Sequence, residues 1–148
     1  MAISSSSVIN NSVLFIRNLI SANVTDPITS SRASDSSFVM TSYPNKPVQY
    51  PLITVKCLNH TASRLGENTE SMMFHLTLEV RIWARNQKEK DTLTDSVEYK
   101  LSTKQQDADG TILEGLHDFA VVSGTNVDEP GEGGIRSMIL NCTYDVYT

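Results

Sequence analysis

Chemistry in this chain would have to come from three histidines, two cysteines and two clusters of acids and glycines. His60, His75 and His117 fall in a loop tip, on the polar face of a strand and just ahead of another strand. None has a carboxylate or cysteine at metal-ligand spacing, so they read as ordinary surface or satisfied imidazoles. Cys57 and Cys142 both lie in predicted strands, and two cysteines without neighbouring histidines do not make a zinc site; free, buried thiols are expected. Asp107-Ala108-Asp109-Gly110 opens like a calcium loop, but its glycine arrives two positions early, which reads as a turn after a helix. Gly131-Glu132-Gly133-Gly134 is glycine-rich like a phosphate cradle, yet it carries no lysine and follows no strand-to-helix turn, and its acid would repel phosphate. No serine or cysteine stands in a nucleophile elbow. The expectation is a protein without catalytic residues, metal or cofactor.

Charge narrows the partners. Twelve Lys and Arg against 17 Asp and Glu leave a net charge of -5, and the basic residues are scattered. That argues against a basic face for nucleic acid, although an acidic protein can line a passage through which DNA slides without sticking. The N-x-[ST] triplets at Asn10, Asn23, Asn59 and Asn141 are chance matches in a chain rich in Asn, Ser and Thr. The apolar run Val13 to Ile16 is too short to span a bilayer and follows no basic segment. Neither a membrane helix nor a signal peptide is expected, and synthesis is assigned to the cytoplasm.

With 148 residues the chain is long enough for one domain with one core. Ile9, Val13, Ile16 and Ile20 predict an amphipathic helix over 4–22, with serines available as N-caps. Asp26-Pro27 stops it, and 23–37 reads as a polar, flexible loop, as do residues 1–7. A short strand is predicted over 38–42. Pro44, Pro47 and Pro51 then keep the next stretch out of a sheet centre, and Tyr43, Lys46 and Tyr50 are expected in an extended, polyproline-like rail leading into a strand over 52–58. Residues 59–71 read as the tip of a long hairpin. Phe74, Leu76, Leu78, Val80 and Ile82 alternate strictly with His75, Thr77, Glu79, Arg81 and Trp83, the mark of a strand with one core face. Asn86 and Glu89 resemble a capping box, and Leu93, Val97 and Leu101 carry a second helix over 87–105. A strand over 118–122, a loop over 123–134 and a strand over 135–147, with Met138, Leu140, Cys142, Tyr144 and Val146 on one face, complete the chain. The expected fold is α+β, a mainly antiparallel sheet with both helices on one face and long hairpin loops.

Association is the remaining kind of function. Arg81 and Trp83 lie opposite the apolar stripe and are residue types enriched at interface hot spots, the alternative being a tryptophan packed under the second helix. The two long loops and their borders add Arg64, Glu67, Asp128, Glu129, Glu132 and Arg136 as candidate interface residues.

The order of elements resembles the tail terminator proteins of long-tailed bacteriophages and related viruses. The resemblance runs over about residues 8–147: an N-terminal helix, VQYPLITV (Val48 to Val55) entering a strand, LTLEVRIWAR (Leu76 to Arg85), NQKEKDTLTDSVEYKL (Asn86 to Leu101), then DFAVVSG and IRSMILNCTYDVYT. Residues 29–37 and 123–134 fall outside the pattern. The resemblance implies a structural virion protein, made in the host cytoplasm, that forms a homo-oligomeric ring, commonly of six subunits. Such a ring caps the tail tube, ends its growth and meets the head-completion or neck proteins, with DNA passing through the lumen unbound and no membrane involved. Subunit contacts in a ring are heterologous and must close. Another neck or tail protein, such as a head–tail joining protein or tube subunit, and a small ligand-binding module are the alternatives. A tube subunit would be richer in strand.

Overall fold

The computed structural model describes residues 3, 6–34, 36–107, 110–111, 115–128 and 134–148. Their elements follow in the order α1 (Val8–Asn23), β1 (Val39–Met40), β2 (Leu52–Arg64), β3 (Met72–Ala84), α2 (Gln87–Thr103), β4 (His117–Asp128) and β5 (Arg136–Tyr147). The strands form one sheet ordered β1-β2-β3-β5-β4; β1 runs parallel to β2, and every other pairing is antiparallel. Both helices contribute to one core with the sheet, so the fold is the α+β layer structure expected.

β3 explains the layering. Leu76, Leu78, Val80 and Ile82 are fully buried, and the strands on either side add Ile53 and Val55 from β2 and Leu140, Cys142, Tyr144 and Val146 from β5 to the same core. α2 turns Leu93, Val97 and Leu101 into it, as the four-residue spacing requires. The α2 cap forms as expected in part: Asn86 accepts a hydrogen bond from the Glu89 N–H at 2.9 Å. The Glu89 carboxylate turns back one residue further than a capping box would, to the Arg85 N–H at 3.1 Å, and is clasped by the Arg85 guanidinium.

Several boundaries differ from the sequence reading, each for a physical reason. β2 continues to Arg64 and β4 to Asp128, which shortens both hairpin connections. Beyond Cys57 the arm of β2 is exposed on both faces, so its polar composition imitates a loop although its backbone stays paired. On α1 the buried stripe is Val8, Ser12, Ile16, Leu19 and Ile20, whereas Ile9 is 37% exposed. The stripe passes through Ser12 because the buried Tyr144 hydroxyl donates to its Oγ, and Ser12 in turn donates to the Ile9 carbonyl at 3.1 Å. Burial raises the Tyr144 phenol above its ordinary pKa. Ser7 stands at the α1 N-cap without a side-chain cap bond.

The proline segment is a connector, but not a straight rail. A polyproline helix would separate Tyr43 and Tyr50 by about 20 Å, yet their hydroxyls are hydrogen-bonded to each other. The chain doubles back because β1 and β2 are parallel, and residues 41–51 must return to the starting end of the sheet.

Arg32 fixes that return. Its guanidinium grips Asp26 through Nε at 2.6 Å and Nη2 at 2.9 Å, and donates to the carbonyls of Gln49 at 3.1 Å and Pro51 at 2.5 Å. Gln49 answers by accepting from the Ala33 N–H at 2.7 Å. Only 6% of the Arg32 side chain is exposed. The hydrogen bond from Arg32, opposed by burial, holds Asp26 below its ordinary carboxylate pKa of 3.8. The resulting stability is therefore present above that value and disappears as pH falls through the lower folded-state pKa. Arg32→Met strands Asp26 and should cost about 3–5 kcal/mol near neutral pH. Urea unfolding is expected to show that gap, and to show it narrowing as the solution is acidified below about pH 4.

Candidate functional site

The helix-free face of the sheet carries the mostly polar residues that alternate with the core. Along β3 these are His75, Thr77, Glu79, Arg81 and Trp83, and along β5 Ser137, Ile139, Asn141, Thr143 and Asp145, paired in register. Leu52 and Thr54 of β2 stand opposite Trp83 and Arg81. Trp83 is thus on the face away from α2, which removes the alternative that it packs beneath the helix.

Around Trp83 the residues form a built site. The Arg81 guanidinium lies 3.8 Å from the centre of the indole ring, and Tyr43 meets the ring at 5.2 Å with a 56° tilt. Arg81 also donates to Ser137 Oγ at 3.1 Å, and Ser137 donates to the Val127 carbonyl at 3.0 Å, which ties β3, β5 and β4 together. Beside them Lys56 reaches Glu79 at 3.6 Å, and Thr41, Ser42 and Thr54 complete the wall of a groove of about 380 Å³. The Trp83 indole N–H is buried and meets no acceptor among the described residues. Arg stacked on Trp beside a second aromatic ring makes a surface suited to a protein or small-molecule partner. Tyr43 was hidden from sequence reading because it reaches the site only when the proline segment doubles back.

The other candidates do not converge on it. Arg64 ends β2 and Glu67 sits in the β2–β3 connection, both exposed, roughly 35 Å along the strands from Trp83. Asp128 and Arg136 face each other in register where β4 turns into β5, at the Trp83 end. Glu129 and Glu132 lie outside the described residues. The predicted interface is therefore two regions at opposite ends of the strands.

Sequence reading missed a second pair, His75 Nδ1 with Asp145 Oδ1 at 2.6 Å, because 70 residues separate them. His117 is registered with Asp145 from the other side, and its ring meets Tyr147 edge-on at 5.4 Å. Among the described residues no three His, Cys, Asp or Glu gather as a metal-ligand set. Of the predicted turn over Asp107 to Gly110, Ala108 and Asp109 lie outside the described residues; the Gly110 N–H donates to the Asp107 carbonyl at 2.9 Å. No helix of the described residues is long and apolar enough to cross a membrane.

The cysteines are free, Cys142 buried and Cys57 half-buried. Both are paired with Leu78, one on each side of it, so they stand about 10 Å apart and cannot form a disulfide. Burial pushes the Cys142 thiol up to about 12, and burial also raises Cys57.

Two measurements follow from this geometry. With a thiol-reactive chromophore near pH 8, Cys57 should react in the native protein and Cys142 only after denaturant is added. Trp83 is the sole tryptophan, so its fluorescence reads the groove directly. Arg81→Met keeps the stem but removes the guanidinium; it should raise acrylamide quenching and cost about 1–2 kcal/mol in urea unfolding.

Compared with known protein families and with curated proteins, the chain matches none.

Proposed function

We propose that this protein is a structural component of a tailed virus particle, a tail terminator that assembles as a ring, commonly of six copies, on the end of the tail tube. The observation that carries the reading is the arrangement of one mostly antiparallel sheet, both helices on a single face, and a β2–β3 arm projecting past the start of β4. It realises the order of elements on which the resemblance rests. A subunit with helices on one side offers two chemically different faces, and a cap that must bind a tube on one side and a neck protein on the other uses such a difference. Among the described residues 25% are helical, and this supports a terminator over a tube subunit, which would be richer in strand.

In this role the protein binds and positions; it does not catalyse, and it needs no cofactor. The Trp83 groove and the polar face around it are the surface offered to the tube or to the head-completion protein. The net charge of -5 suits a passage that DNA traverses without being held.

A small ligand-binding module is the second reading, favoured by the groove itself. A thermal-shift screen in which one small molecule raises the melting temperature, and loses that effect in Trp83→Ala, would support it.

The ring is tested by light scattering over a concentration series with negative-stain images of the largest species. Closed rings with a central hole are expected. A monomer at every concentration, or open filaments, would overturn the reading.

A further inference from the structure

Among the described residues no strand pairs with the far part of β2 or lies beyond β4, and these two edges match. On one side β1 covers β2 only at Ile53 and Thr54, leaving the outer backbone of β2 from Val55 onward without a strand neighbour among the described residues. On the other side β4 is the last strand of the sheet. Register across the sheet sets their heights. Val55 is level with Val80, Leu140 and Gly124, and Thr61 with His75, Asp145 and His117. The open stretch of β2 and the first two-thirds of β4 therefore occupy the same band.

Each edge is interrupted by a bulge, and the two lie within about one residue of each other in height. The row Cys57, Leu78, Cys142 and Val121 crosses the four long strands, and the register shifts on one side of it in β2, between Cys57 and Asn59, and on the other side in β4, between Val121 and Ser123. The residues inserted there are Leu58 and Val122, 46% and 62% exposed. Bulges commonly protect an edge by turning it away or by presenting a charge. Here each presents a large apolar side chain, which protects nothing.

The charges differ in sign. Within the shared band β2 carries His60 and Lys56, the latter paired with Glu79, and no acid, whereas β4 carries His117 and Asp118 and neither lysine nor arginine. Asp118 sits in a second bulge with φ 54, between His117 and Ala120, at about the height of His60. Joining β2 to β4 brings Asp118 to His60 and places no acid against an acid and no lysine or arginine against another.

Strand direction agrees. β2, β3, β5 and β4 alternate in direction, so β2 and β4 run opposite ways. Copies related by rotation about an axis along the strands would bring β2 of one against β4 of the next in antiparallel register, with Leu58 within about one residue's height, roughly 3 Å, of the neighbour's Val122.

We infer that the open edge of β2 pairs with the edge of β4 in a second copy of this chain, a heterologous contact that continues the sheet from subunit to subunit. The inference rests on the ring reading above and names its contact.

Leu58→Glu places an acid against the acidic edge, and Val122→Lys places a cation against the basic edge. Each alone should raise the concentration needed for half-assembly at least about tenfold by light scattering. The double variant restores an opposite-charge pair at every contact, so it should return assembly towards the wild-type concentration; that recovery also excludes misfolding as the cause of the single losses. Single variants that assemble like wild type overturn the edge pairing and leave the ring reading intact. Single variants that stay folded by circular dichroism and fail, with no recovery in the double, overturn the matching of these two edges. Wild-type protein that never self-associates overturns the ring reading and the pairing together.

Discussion

β3 is hydrogen-bonded to β2 on one side and β5 on the other along nearly its whole length, and the rest of the molecule takes its position from that double ladder. Because side chains alternate along a strand, a slip of one residue in either ladder would send Leu76, Leu78, Val80 and Ile82 to the open face and Glu79 and Arg81 into the core. The register is therefore held by the hydrophobic pattern itself. α1 and α2 can cover only the face those four residues define, and Arg81 and Trp83 are left on the other.

Buried polar contacts then decide details that apolar burial leaves open. The Tyr144 hydroxyl selects the face of α1 that turns inward by demanding Ser12 as its partner. Lys90 is fully buried in α2, and its ammonium donates to the Asn126 side chain of β4, with Asp91 at 3.7 Å. An amide from β4 is thereby required for α2 to lie flat, since an ammonium buried without a partner is costly. Arg32 gathers Asp26, Gln49 and Pro51 around one guanidinium, so a stretch with few apolar contacts of its own is closed by directional bonds.

What the sequence displayed was periodicity. The alternation of β3, the Leu93, Val97 and Leu101 stripe and the Asn86 cap are local patterns, and each forms the predicted kind of element. Arg81 and Trp83 were placed on the open face by the same alternation. What stayed hidden depends on partners far along the chain. Nothing near Arg32 indicates that carbonyls of Gln49 and Pro51 will surround it, and nothing near His75 points to Asp145. Lys90 continues the α2 stripe at the right spacing, but its charge disguises a core position. The distal halves of β2 and β4 carry loop-like residues because both of their faces are wet, so composition misjudged the lengths of the hairpins.

The position of β5 has a consequence for how the chain can be made. Although it is the last of the five strands in sequence, it lies inside the sheet, between β3 and β4. Until residues 136–147 have been synthesised, β3 has an unfilled side and β4 has no neighbour at all, so the earlier elements cannot close a core around Leu78 and Val80 as the chain emerges. Folding of this layer structure must wait for nearly its whole length, and pairings of high sequence separation such as Phe74 with Val146 make it a slow topology. For a growing polypeptide, that delay leaves an apolar strand edge open to chaperones and to other nascent copies.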